Sequence, residues 1–79
     1  MAGDPTYMDM AANVRECTER VLTLLDSRPR VNVLNVAEQL NERSLVVYQA
    51  IGWLIRDGRV RYEQEGNQVY LAKNGEGAR

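Results

Sequence analysis

A chain of 79 residues, 44% hydrophobic and 27% charged, has the make-up of one small globular domain with a single core, and at this length it buries only about 60–65% of its unfolded surface. One cysteine and no histidine exclude a disulfide framework, a zinc ligand set, a histidine-based triad and a Cys-His pair within one chain. The net charge of −1 is low for a protein that neutralises phosphates, but it is unevenly spread: residues 1–42 hold four arginines against seven acids, and residues 43–79 hold five arginines and Lys73 against four acids.

No apolar run reaches the roughly 20 residues of a membrane span. Asp4 and Asp9 stand where a signal peptide would carry positive charge, so a cytoplasmic protein is expected. Residues 1–6 read as a flexible lead, with Thr6 and Asp9 in the form of a capping box. A first helix is predicted from near Tyr7, because Met10, Val14, Cys17, Val21, Leu24 and Leu25 recur at three- and four-residue spacing. Pro29 ends it, since the residue before a proline is pushed out of the helical region. Cys17 on this stripe is a buried, inert thiol; the competing reading is a reactive one.

Val31, Asn32 and Val33 form a short edge segment that must pair with something later in the chain. Leu34, Val36, Ala37 and Leu40 then give a second helix, stopped by Asn41 in the left-handed conformation. Ser44 is the expected N-cap of a third helix that runs to about Asp57, with Val47, Ile51 and Leu54 inward and Gly58 as a left-handed C-terminal cap. From Arg59 the pattern alternates: Val60 and Tyr62 face one way, and Arg59, Arg61 and Glu63 the other. A two-residue loop at Gly66-Asn67 sets a hairpin that pairs Tyr62 with Leu71, Gln64 with Val69 and Glu63 with Tyr70. The folded domain is expected over residues 7–72, and Lys73 to Arg79, with no apolar anchor, reads as a flexible tail.

Helix, short strand, helix, turn, helix, hairpin is the order of a winged helix-turn-helix. The expected fold class is therefore α+β: three helices with a short strand and a C-terminal two-stranded β-hairpin wing. Ala37 is the small residue that lets the two central helices cross closely, and Val47, ten residues on, supplies the apolar contact. The segment VAEQLNERSLVVYQAIGWLIRDGRV resembles the usual winged-helix pattern, with Glu42 as a departure where many members carry an apolar residue. The run YQAIGWLIRDGRVRYEQEGNQVYL is similar to a small bacterial and archaeal winged helix-turn-helix family of unknown function, through its Gly-Trp-Leu and Arg-acid-Gly sequences. That resemblance covers residues 10 to 72 and implies the fold without an established activity.

In this architecture the outer face of the third helix enters the major groove and the wing lies along the backbone. Helical rotation places Leu45, Val46, Gln49, Gly52, Trp53 and Arg56 on that outer face. The nucleic-acid candidates are Arg43, Gln49, Arg56, Arg59, Arg61 and Lys73: Gln49 could read adenine, and the cations would form a phosphate strip. The competing reading of Arg59 and Arg61 is that they solvate the open face of the hairpin.

Trp53 has two readings, a core aromatic covering the base of the wing or, with Leu45 and Val46, an exposed patch for a partner protein or a second copy of the chain. Tyr48 reads as a half-buried support rather than a base-stacking platform. The partners expected are double-stranded DNA, with a protein partner or homodimer as the alternative. No membrane contact and no small-molecule cofactor are expected. Scattered carboxylates and the lack of a glycine-rich phosphate loop argue against an enzyme.

Overall fold

The computed structural model describes the backbone of residues 5–75 and the side chains of residues 9–75. The order is α1 (Pro5–Ser27), β1 (Val31–Asn32), a 3-10 turn (Val33–Asn35), α2 (Val36–Leu40), α3 (Ser44–Arg56), β2 (Val60–Glu65) and β3 (Gln68–Lys73). The strands form one antiparallel sheet in the order β1-β3-β2. This is the winged-helix architecture: three helices, a short strand and a C-terminal hairpin.

The core is aliphatic. Val14, Cys17, Val21, Leu22 and Leu25 of α1 meet Val46, Val47, Ala50, Ile51 and Leu54 of α3, closed by Val31, Val36, Val60 and Leu71. Leu22 joins the buried stripe of α1, and Leu24 is only partly covered. Thr18 is buried there too, its hydroxyl donating to the Arg15 carbonyl at 2.6 Å. Cys17 is buried, and that burial, seconded by the charge of Glu42, pushes its thiol above the ordinary value. The sulfur is held protonated at neutral pH and has no access to a reagent.

The hairpin takes the register expected from its alternation, with Tyr62 opposite Leu71, Glu63 opposite Tyr70 and Gln64 opposite Val69. Gly66 alone in the loop has a positive φ, 62°, the requirement at the first central position of a II′ turn. α3 ends as a Schellman motif: Gly58, at φ 75°, donates to Ile55, and Arg59 donates to Leu54. Asn41 ends α2 at φ 54°, as a left-handed stop.

Several expectations shift. The first helix begins at Pro5, a residue suited to a first helical position because its missing N–H would have no helical partner. Thr6 is thus inside the helix and not its N-cap, and its side chain lies outside the described residues. Residues 1–4 of the expected lead and 76–79 of the expected tail also lie outside them. Lys73 belongs to β3 rather than to a tail, and Asn74 is fastened by its N–H to the Arg59 carbonyl and by its amide to the Gly58 carbonyl.

Leu34 does not line the second helix. It is 73% exposed in the 3-10 turn, where Asn32 caps the chain by accepting from the Leu34 N–H at 2.9 Å. That turn also takes Val33 out of the strand. Ser44 is the first residue of α3, and Arg43, without a side-chain cap bond, holds the N-cap position.

Candidate nucleic-acid interface

α3 is thirteen residues of SLVVYQAIGWLIR, without one carboxylate. Its inward side is wider than three apolar residues imply. Val46 and Ala50 are fully buried beside Val47, Ile51 and Leu54, so the inward face is centred on the side that Val46 shares. The assignment of Val46 to an exposed patch is corrected by this: at 0% exposure it is core and can meet no partner. The same rotation places Leu45, Gly52 and Arg56 opposite the buried face, with Gln49 and Tyr48 on either side of them.

The outer face is open to solvent. Leu45 is 58% exposed, Tyr48 45% and Trp53 46%. Trp53 therefore sits at the flank of the helix with nearly half its surface uncovered, and none of the aromatic side chains described joins the buried core. Gly52 is exposed, and nothing lies within 4 Å of where its Cβ would be. None of the described residues fills the space that this glycine leaves.

The six residues expected to contact nucleic acid divide into two groups. Arg61 is engaged within the sheet: its guanidinium meets Glu63 at 2.7 Å and donates to the Lys73 carbonyl at 2.9 Å and to Asn74 Oδ1 at 3.3 Å. Lys73 is ion-paired to Asp26 at the end of α1. Arg43 has a loose contact with Glu42 at 3.8 Å and keeps more than half of its side chain exposed. Among the described residues, Gln49, Arg56 and Arg59 have no side-chain hydrogen bond or ion pair, and all three are exposed.

The wing is further neutralised by a residue outside the expected strip. Arg30, just before β1, reaches Glu65 at 2.5 Å and Glu63 at 3.6 Å, and its guanidinium lies 3.9 Å from the centre of the Tyr70 ring. The hydrogen bond that Arg30 donates to Glu65 raises its pKa above the ordinary guanidinium value. The outer face of the hairpin is thus a set of closed pairs that clamp it to the strand beside it.

Glu42, the departure from the usual winged-helix pattern, has a partner of its own. It is partly buried and accepts from Arg20 of α1 at 3.1 Å, while the same guanidinium donates to the Leu40 carbonyl. The ion pair ties the helix-turn-helix loop to α1 where an apolar residue would otherwise pack.

No protein-family model and no curated protein matches the chain. Among solved structures it is similar to HlyU from Vibrio cholerae N16961, at 21% identity and a TM-score of 0.59, over 91% of this chain and 83% of that one. At this identity the likeness shows the fold, a winged helix. The Gly-Trp-Leu and Arg-acid-Gly similarity to a narrower family remains a resemblance. No helix among the described residues is long and apolar enough to cross a membrane.

Proposed function

We propose that the chain is a DNA-binding regulator or accessory protein, and not an enzyme, that presents the outer face of α3 to the major groove of duplex DNA. One observation supports this above the rest: in a winged-helix scaffold, α3 is free of carboxylates and turns Gln49 and Arg56 outward with no side-chain partner among the described residues. Arg43 before the helix and Arg59 after it extend the same surface. Phosphate contacts from such cations fix the register on the duplex, and the first turns of the helix meet base edges.

Arg61 and Lys73 have a different role in this reading. Each is already paired, and moving either to a phosphate would break contacts that hold β3. Fluorescence anisotropy with a labelled random duplex at about 50 mM salt tests the proposal. The native chain binds, and the Arg56→Glu, Arg59→Glu double variant loses about a hundredfold or more in affinity, since each reversal removes a charge-assisted contact and adds repulsion. A flat titration of the native chain rejects the reading.

The exposure of Leu45, Tyr48 and Trp53 favours a second reading, in which the same face binds a protein or a second copy of the chain. Light scattering separates the two. That reading requires an oligomer or a captured partner that Trp53→Ala abolishes without unfolding the chain.

A further inference from the structure

We infer that the outer face of α3 recognises an A·T-containing major-groove site, with Leu45 against thymine 5-methyl groups and Gln49 on adenine. The inference rests on the DNA-binding reading above and deepens it. Leu45 and Gln49 lie four residues apart on the exposed side of the first two turns, so their side chains leave the helix about 6 Å apart along its axis. In the inclined major groove that separation projects onto neighbouring base pairs, which stack about 3.4 Å apart.

The chemistry of the two positions agrees. A glutamine amide donates to adenine N7 and accepts from the adenine N6 amino group in one planar contact, and an apolar side chain in the major groove finds its counterpart in the thymine methyl. Opposite a G·C pair Leu45 would cover guanine O6 and N7 or the cytosine amino group while offering them nothing, which leaves polar edges desolvated and unbonded. No arginine lies within these turns: Arg43 precedes them at the N-cap, where it serves the phosphates, and Arg56 stands at the far end of the helix.

The charge around α3 favours a polyanion as the occupant. None of the chain's eleven acids falls in α3; Arg43, Arg56 and Arg59 stand at its ends, against Glu42, which is tied to Arg20, and an exposed Asp57 at the C-cap. Gly52, on the next turn from Gln49, leaves open space around its Cα, so that the helix backbone can approach the groove floor without a side chain in the way.

The test is anisotropy of the full chain with short labelled duplexes of equal length, one A·T-rich and one wholly G·C. The A·T-rich duplex binds roughly five- to tenfold more tightly. Replacing its thymines with uracil removes only the methyl groups and weakens binding about two- to fourfold. Replacing adenine with 7-deazaadenine removes N7 and weakens it roughly fivefold. Leu45→Ala abolishes the uracil effect and Gln49→Ala the deaza effect, and because both side chains are exposed the variants keep the circular dichroism of the parent.

Equal binding to the A·T-rich and G·C duplexes overturns the inference and leaves DNA binding in place. So does an A·T preference indifferent to both modifications, which assigns the readout to the minor groove. Binding to neither duplex at about 50 mM salt overturns this inference and the DNA-binding reading together.

Discussion

The surroundings of α3 and the wing carry similar numbers of basic side chains, and the sequence presents Arg43, Arg56, Arg59, Arg61 and Lys73 as one strip. In the folded chain they differ in kind. On the wing, Arg61 faces Glu63, Arg30 bridges Glu63 and Glu65 over the Tyr70 ring, and Lys73 is paired to Asp26. On and around α3, Gln49, Arg56 and Arg59 have no partner among the described residues and Arg43 is loosely held. An arginine whose donors are spent inside the protein is part of the scaffold, whereas one that points into water with no partner is available to an external anion. The net charge of the chain describes neither region.

The comparison can be broken most severely from beneath α3. Ile51 is almost fully buried on its inward face, and Ile51→Ala is expected to cost about 2–5 kcal/mol of stability, read from the urea midpoint. Loss of DNA binding in that variant should follow the unfolded fraction. A smaller effect separates the two regions directly. Arg61→Ala should lower the urea midpoint slightly, by the modest amount typical of exposed ion pairs, and should change duplex affinity less than about twofold, since a residue already paired makes no phosphate contact. A loss comparable to that of Arg56→Ala would return the wing to the interface.

Arg30→Ala sharpens the comparison from the other side. It removes the clamp over Tyr70 and both glutamate pairs, so amide exchange across residues 60–73 should quicken while the amides of α3 keep their protection. The smallest effect belongs to Cys17. Its thiol pKa is raised by burial above the ordinary value of 9.0, so the unfolded chain ionises first. Stability is unaffected below that value and falls as pH rises above it. Cys17→Ala should remove this alkaline slope.

Local patterns carried most of the fold. Strict alternation, together with a glycine-led two-residue turn, defined the hairpin register to the residue, and Asn41 and Gly58 marked two helix ends because only left-handed conformations serve there. The phase of α3 was less legible. Val47, Ile51 and Leu54 define an apolar stripe, but small Ala50 contributes little to a hydrophobic count and yet is fully buried, and it draws Val46 inward with it. Leu34 was misplaced because the Asn32 cap produces a tight turn before α2 begins.

The candidate site was visible as a set of residues and not as a division between them. Arg61 and Glu63, two apart on one strand, share a face, and that pairing could have been read from the alternation alone. The partner of Lys73 is 47 residues upstream and that of Glu42 is 22 upstream. Such pairs depend on how α1 crosses the sheet and the helix-turn-helix, which no local pattern encodes.

The salt dependence of duplex binding tests the central claim most directly. Each phosphate neutralised contributes roughly −0.9 to the slope of log affinity against log salt. If Arg43, Arg56 and Arg59 make the contacts and the wing does not, the slope should be about −2 to −3. A slope of about −4.5 or steeper would mean that Arg61 and Lys73 leave their partners for phosphates, and no binding at about 50 mM salt would mean that α3 does not meet DNA.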